Sequence, residues 1–158
     1  MIIREFEKND AEKVSEIITR NLLEVNAKDY GEAMMTEHAK QFSKEQILET
    51  FKDRVKIFVA EKNGEILGTA GIAEDWSKEE GSYWILTVFV KPESHGQGIG
   101  RKLIERIEEF ARTINAKKLT IPASIAGHEF YYKLGYRYKD GKKELNEEGM
   151  YIMEKILA

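Results

Sequence analysis

The sequence predicts a single α/β domain built on a mixed β-sheet, and three observations lead to this fold class. The chain has 158 residues, enough for one domain with its own hydrophobic core. Apolar residues make up 42% of it and charged residues 34%, a balance typical of a soluble folded chain. Segments with helical and strand periodicity are interspersed in the order β-α-α-β-β-β-α-β-α-β-β, which favours a mixed sheet covered by helices.

The first third of the chain is predicted to begin with a strand and a helix. Residues 2–6 alternate weakly and predict the strand. Asn9 or Asp10 is suited to cap the helix that follows. The apolar stripe of that helix consists of Val14, Ile17, Ile18 and Leu22. Residues 24–42 have no clean period, so a loop or a short helix is predicted there.

The remaining elements follow from capping, turn and periodicity signals. Ser43 and Gln46 have the spacing of a capping box, which predicts a second short helix. Asn63-Gly64 is typical of a tight hairpin turn. Further strands are predicted at residues 55–61, 66–73, 83–90, 117–121, 136–139 and 150–157. The stripe from Leu103 to Ile114 and residues 126–133 predict the last two helices.

Composition excludes several classes of function. The chain has no cysteine and three widely spaced histidines, so we expect no disulfide, no cysteine nucleophile and no metal site. The net charge of −3 lacks the basic excess of a nucleic-acid-binding protein. The N-terminus does not resemble a signal peptide, and the longest near-apolar run, residues 84–90, is too short to span a bilayer. A cytoplasmic protein is therefore expected.

The segment from residue 88 to residue 101 gives the strongest functional signal. It reads Val-Phe-Val-Lys-Pro-Glu-Ser-His-Gly-Gln-Gly-Ile-Gly-Arg and runs from a strand through a turn into a helix. Its three alternate glycines leave backbone N–H groups uncovered at the positive end of the helix, which suits a phosphate or pyrophosphate. A Walker loop does not fit because Gly100 is followed by Arg101, and a Rossmann fingerprint needs glycine at position 101.

The same segment resembles motif A of the GCN5-related N-acetyltransferases (GNAT). In that motif a strand ends in Val-x-Pro and is followed by Arg or Gln, two residues, Gly, one residue, and Gly or Ala. The matching positions are Val90-x-Pro92 and Gly98-x-Gly100, whereas His95 stands where the family usually has Arg or Gln. Residues 130–136, Phe-Tyr-Tyr-Lys-Leu-Gly-Tyr, resemble a second family block, Phe-Tyr-x-x-Leu-Gly-Phe. With the preceding hairpin, the resemblance covers about residues 55–140.

The resemblance implies one N-acetyltransferase domain over residues 1–158. Such a domain moves an acetyl group from acetyl-CoA to a primary amine of a small molecule or protein by direct attack. The expected partners are acetyl-CoA and an amine acceptor, without nucleic acid, membrane or metal, and a homodimer is left open. The cofactor-binding residues that the resemblance implies are Val88, Phe89, Val90, His95, Gly96, Gln97, Gly98, Ile99, Gly100, Arg101 and Ser124.

Within that set, two groups of backbone amides have different roles by resemblance. The N–H groups of residues 88–90 would face the acetyl oxygen and the pantetheine, where oriented donors stabilise a developing oxyanion. The N–H groups of residues 96–101 would hold the pyrophosphate. Ser124 falls where the family often has a cofactor-binding Asn.

By resemblance, Tyr131 aligns with the general acid of the family, whose phenol protonates the departing CoA thiolate. Tyr132 competes for this role, although neighbouring residues face different ways on a helix. The strands on which many relatives place a general base carry no carboxylate here. Three routes stay open: the amine loses its proton to water, it arrives neutral, or a side chain from elsewhere takes the proton. The candidate bases are Glu74, Asp75, His38 and His128.

The amine pocket is expected to come from residues 21–42 and the loop 74–82. Its candidate lining residues are Asn26, Tyr30, Trp76 and Trp84. Two other functions stay open at this point. The chain could bind acyl-CoA as a sensor or interaction module without transfer, or it could hydrolyse acetyl-CoA as a thioesterase.

Overall fold

The computed structural model describes residues 1–157 and confirms the α/β class with a mixed sheet. The strands are β1 (Ile2–Glu5), β2 (Lys56–Lys62), β3 (Glu65–Glu74), β4 (Ser82–Val90), β5 (Lys118–Ala123), β6 (Arg137–Tyr138) and β7 (Tyr151–Ile156). The α-helices are α1 (Ala11–Asn21), α2 (Ala27–Tyr30), α3 (Glu32–Ala39), α4 (Lys44–Thr50), α5 (Ile99–Thr113) and α6 (His128–Lys133).

All seven strands belong to one sheet in the order β1-β2-β3-β4-β5-β7-β6. Every neighbouring pair is antiparallel except β4 and β5, which run parallel. These two strands are paired at only three positions, from Ser82 opposite Lys118 to Trp84 opposite Thr120. Beyond that point they diverge, so the centre of the sheet is open at the end where β4 leads into α5.

Residues 24–42, predicted as a loop or a short helix, are almost entirely helical. A π-helical turn spans Leu22–Asn26, and α2, α3 and a 3-10 turn at Lys40–Phe42 follow it. The apolar residues of this segment show little helical periodicity, because α3 buries only Met35 and leaves most of its other side chains exposed. A helix that covers a cleft instead of a core needs no continuous apolar stripe.

The start of α1 lies where it was predicted, but Asp10 does not cap it with its side chain. The carboxylate of Asp10 instead accepts hydrogen bonds from the guanidinium of Arg4 at 2.9 Å and from the Glu7 N–H at 2.8 Å. Because Asp10 is buried, the pairing with Arg4 compensates the cost of burying its charge. The predicted cap of α4 is confirmed, since Ser43 Oγ accepts from the Gln46 N–H at 3.2 Å.

Two hydrophobic clusters cover the two faces of the sheet. The first packs α5 and α6 on one face and includes Leu103, Ile107 and Tyr136. The second packs α1, α3 and α4 on the other face and includes Ile18 and Ile47. The opening between β4 and β5 therefore lies between two packed layers, where a ligand can be enclosed. None of the helices in residues 1–157 has the length and apolar character needed to cross a membrane.

Candidate active site

A cleft of about 1850 Å³ occupies the opening between β4 and β5. One wall comes from the helical segment between Asn21 and Arg54. The opposite wall comes from the glycine-rich turn, the first turns of α5, and the segment between Ser124 and Leu134. The end of β4 forms the floor shared by the two walls. The cleft thus brings together segments that are more than one hundred residues apart in the chain.

The end of β4 presents unpaired backbone groups to this cleft. A bulge places Thr87 and Val88 opposite Ala70 of β3, and Thr87 adopts a φ of 58°. The Lys91 N–H donates to the Leu67 carbonyl at 2.8 Å. Because hydrogen bonding alternates along an antiparallel pair, Phe89 is the next residue bonded to β3. The amides of Val88 and Val90 therefore face away from β3, toward the cleft.

Two side chains hold the end of β4 in place. Asn21, buried at the end of α1, donates through Nδ2 to the Val90 carbonyl at 2.8 Å and to the Ile17 carbonyl at 2.9 Å. Nε2 of His95 lies 2.7 Å from the same Val90 carbonyl. Since a carbonyl can only accept, this nitrogen of His95 carries the proton. The Val90 carbonyl is therefore satisfied while its N–H remains directed at the cleft.

The glycine-rich turn exposes a run of free amides. Gly96 and Gly98 adopt φ angles of 80° and 82°, a region that side chains disfavour. The N–H groups of residues 96–101 donate no hydrogen bond to any group within residues 1–157. They lie at the N-terminus of the 15-residue helix α5, where the helix dipole adds positive potential. The turn is therefore a preformed site for an anionic group.

Glycine is needed at the three positions of the turn for different reasons. A Cβ at Gly96 or Gly98 would meet nothing within 4 Å, so their φ angles and their open backbone account for glycine. A Cβ at Gly100 would lie 3.0 Å from Cζ of Phe130. Gly100 thus allows α5 to pack closely against α6. Gln97 is exposed and does not line the cleft, although its backbone belongs to the turn.

Tyr131 lines the cleft and is 7% exposed. Its hydroxyl has no hydrogen-bond partner within residues 1–157, and burial raises the pKa of the phenol. The phenol is therefore neutral near pH 7 and is able to donate a proton into the cleft. Tyr132 differs in every respect, because it is 43% exposed, lies outside the cleft and stacks under the guanidinium of Arg137 at 4.0 Å.

Ser124 also lines the cleft, at the turn that precedes α6. Its Oγ accepts a hydrogen bond from the Gly127 N–H at 3.1 Å, and its carbonyl accepts from His128 at 3.0 Å. The hydroxyl hydrogen of Ser124 has no partner within residues 1–157. Ser124 therefore combines a structural role in this turn with one free donor beside the cleft.

Of the four candidate bases, only His38 lies in the cleft. Glu74 is exposed and pairs with Lys78 at 3.5 Å. Hydrogen bonds from Ser82 and Ser77 lower the pKa of Asp75 to about 2, which makes it a weak base. His128 is buried outside the cleft, with Nδ1 2.7 Å from the Tyr138 hydroxyl.

Of the residues predicted to line the amine pocket, those of the segment 21–42 line the cleft and those of the loop 74–82 and Trp84 do not. Asn26 and Tyr30 line the cleft, and the Tyr30 hydroxyl donates to the Gly149 carbonyl at 2.6 Å and accepts from the Ile125 N–H at 3.0 Å. Trp76, Trp84 and the loop 74–82 do not line it. They lie at the start of β4, where β4 and β5 are still paired, and the two indole rings pack against each other.

Three residues of the site were not singled out from the sequence, although Asn21 begins the segment predicted to form the amine pocket. Asn21 continues the apolar stripe of α1 with a polar side chain, which was a usable signal for a buried hydrogen bond. Thr87 has no such signal, since threonine seldom adopts a positive φ. Arg54 also lines the cleft, and nothing in the local sequence distinguishes it from a surface arginine.

Comparisons with known proteins agree with this geometry. The Acetyltransferase (GNAT) family matches residues 18–136. The chain is 35% identical to the IAA acetyltransferase of Azospirillum brasilense over 75 residues, which are 47% of each protein. It is 30% identical to an uncharacterized N-acetyltransferase of Methanocaldococcus jannaschii, with 61% of this chain and 71% of that protein covered. The matches thus span about half of the first relative and about seven tenths of the second.

A solved structure has the same fold. The PaiA N-acetyltransferase of Thermoplasma acidophilum, in complex with coenzyme A, superimposes with a TM-score of 0.83 at 20% identity, covering 99% of this chain and 98% of that one. The family match includes β4, the glycine-rich turn and α6, which build the cleft. The chain therefore belongs to the GNAT family of acetyltransferases.

Proposed function

We propose that the protein transfers an acetyl group from acetyl-CoA to a primary amine of a small molecule or protein by direct attack. The observation that carries this proposal is the continuous row of unpaired amides, from Val88 and Val90 on β4 to residues 96–101 at the start of α5. An elongated ligand with a carbonyl at one end and phosphates farther along would pair with both groups. Family membership supports the same cofactor.

Acetyl-CoA would supply a thioester that is activated toward an amine. In this proposal the N–H groups of Val88 and Val90 stabilise the negative charge that develops on the acetyl oxygen. The Tyr131 phenol gives its proton to the departing sulfur as the carbon–sulfur bond breaks and the carbon–nitrogen bond forms. The attacking amine loses its proton to solvent or to His38, which lies in the cleft.

The proposal also includes the other cofactor contacts, the extent of the domain and its partners. The amides of residues 96–101 hold the pyrophosphate, with Ser124 as a further donor and Phe89 as a packing contact beside the cofactor. The alternation along β4 favours Val88 and Val90 over Phe89 as amide donors. We propose one cytoplasmic domain over residues 1–158 with no nucleic acid or membrane partner, and leave a homodimer open.

Coenzyme A is expected to stabilise the protein against thermal unfolding. A ligand that binds only the folded state at one hundred times its Kd adds about 2.7 kcal/mol to the free energy of unfolding. For a domain of this size, Tm then rises by roughly 5–10 °C. Thermal unfolding with coenzyme A, acetyl-CoA or adenosine monophosphate measures this. An unchanged Tm at millimolar coenzyme A would contradict the proposed cofactor.

Release of coenzyme A in the presence of a panel of amines tests the reaction. We expect release from acetyl-CoA that depends on the amine and yields the acetylated amine in equal amount. Release without any amine would indicate a thioesterase. Binding of coenzyme A without transfer to any amine of the panel would favour a sensor or interaction module.

Replacement of His95 by alanine is expected to weaken coenzyme A binding by less than about tenfold, or about 1.4 kcal/mol. The imidazole already donates to the Val90 carbonyl, and the pyrophosphate site consists of backbone amides that the substitution leaves in place. Isothermal titration of coenzyme A measures the change. A larger loss would make the His95 side chain a phosphate ligand in its own right.

A further inference from the structure

Arg54 occupies an unusual position for a charged side chain. It follows a short 3-10 turn at Phe51–Asp53 and immediately precedes β2. Its stem crosses β3 at Gly71, where an added Cβ would lie 3.6 Å from Cδ of Arg54. The arginine stem thus passes within van der Waals distance of Gly71 on its way to the cleft, which it lines on the side of α4.

The guanidinium of Arg54 has almost no partner within residues 1–157. Its Nε is fully buried and makes no hydrogen bond. One Nη lies 3.5 Å from Oγ1 of Thr87, at the outer limit of a hydrogen bond. No carboxylate in this part of the molecule lies within 4 Å of it, and the adjacent Asp53 is exposed.

Several other arginines of the chain pair with carboxylates. Arg4 binds Asp10 and Glu61, Arg20 binds Glu24 and Glu93, and Arg101 binds Glu105. Burial lowers the pKa of the Arg54 guanidinium, which means that its charged form is poorly solvated where it stands. A partly buried cation without a counter-ion is costly, so an anion that enters the cleft would compensate its charge.

The position of Arg54 relative to the amide donors of β4 indicates which bound molecule would carry the anion. Thr87, which faces the guanidinium, is the residue before Val88, so their Cα atoms are about 3.8 Å apart. Arg54 therefore lies near the proposed site of acetyl transfer, on the wall formed by residues 21–54 and away from the glycine-rich turn. An anion there belongs to the amine acceptor, since the turn already accounts for the phosphates.

We infer that the acceptor is a small amine that bears a carboxylate, held by the Arg54 guanidinium and the Thr87 hydroxyl. This inference rests on the proposed function. The planar fork of an arginine matches the two oxygens of a carboxylate, and the buried Nε supplies a donor that has no other use. When the carboxylate is bound at Arg54, the amine of the same molecule lies only a few bonds away. It can then reach the acetyl group that is proposed to lie at the Val88 amide.

The test compares acceptors in matched pairs. Glycine, β-alanine, leucine and phenylalanine are each assayed against the corresponding amino amide, with coenzyme A release as the readout. We expect kcat/KM for the preferred amino acid to exceed that of its amide by about tenfold or more. Arg54→Gln removes this preference and leaves the KM for acetyl-CoA unchanged, and Arg54→Lys restores part of it.

Lys52→Gln provides the matched control, because Lys52 is an exposed cation two residues away that pairs with Glu49 at 2.9 Å. Lys52→Gln makes the same change of charge as Arg54→Gln and should keep the preference for amino acids over their amides. Arg54→Gln should not lower Tm without ligand, since the arginine makes no strong bond to lose. Equal rates with amides and amino acids, or a preference that Arg54→Gln leaves intact, would overturn the inference.

A binding measurement separates failure of this inference from failure of the proposed function. Each amino acid of the panel is added to the protein with saturating coenzyme A, and at least one should raise Tm in the native protein but not in Arg54→Gln. This result without any acetyl transfer would leave the carboxylate site standing and remove the proposed reaction. Transfer to uncharged amines that is independent of Arg54 would remove the carboxylate site and leave the reaction standing.

Discussion

Tyr131→Phe is expected to lower kcat about a hundredfold, the lower end of the effect of a general acid. The change removes one oxygen and keeps the ring, so the packing of α6 against the sheet should be retained. The hydroxyl has no partner within residues 1–157, and its removal therefore breaks no hydrogen bond of the fold. Because the proton moves only as sulfur departs, the affinity for coenzyme A should change little.

Tyr132→Phe is the matched control for this experiment. The ring of Tyr132 is exposed, stacks with Arg137 and lies outside the cleft, so kcat should stay within a factor of about two. Both variants are assayed with the same amine at saturating acetyl-CoA. A loss of rate in Tyr132→Phe alone would shift the motif by one residue. Full activity in both would mean that water protonates the sulfur.

Gly98→Val is expected to abolish detectable coenzyme A binding. Gly98 has a φ of 82°, and a β-branched residue there either strains the turn or changes its path. The side chain would also project into open space beside the free amides, where the pyrophosphate is proposed to approach. Isothermal titration and the Tm shift with coenzyme A both measure the loss.

Gly64→Val separates backbone strain from obstruction of the site. Gly64 has a φ of 79° and equally open surroundings, but it belongs to the hairpin turn between β2 and β3. Both variants should lose about 1–2 kcal/mol of stability from the unfavourable φ, whereas only Gly98→Val should lose the ligand. Gly100→Val is not comparable, because its side chain would collide with Phe130. Undiminished binding in folded Gly98→Val would refute the amide site.

The sequence predicted well those parts of the fold in which local signals agree. The hairpin between β2 and β3, the stripe of α5 and the cap of α4 each depend on residues close together in the chain. The segment 24–42 was predicted only as a loop or a short helix, because helices that border a cleft are not required to bury a continuous stripe. Asp10 was misjudged because a carboxylate at a helix start is equally suited to an arginine, and Arg4 lies six residues away.

Within the site, the backbone features could be predicted from the sequence, whereas the partners of the side chains could not. Glycine spacing identifies the turn directly, since a free amide needs no partner from elsewhere. The position of Arg54 in the cleft depends instead on its contacts with Gly71, 17 residues further on, and with Thr87 at the bulge of β4. The exclusion of Trp76 and Trp84 depends on where β4 and β5 separate, which a single strand does not reveal.

The opening beside β4 makes a central strand behave like the border of a sheet. Exposed strand borders invite a segment of another chain to add itself, which is a common route to aggregation. Here the bulge at Thr87 bends the strand out of a regular ladder. Asn21 and His95 occupy the Val90 carbonyl, and helices enclose the opening on both faces. The protein can thus keep donors free inside its sheet without offering a template on which a second strand could pair.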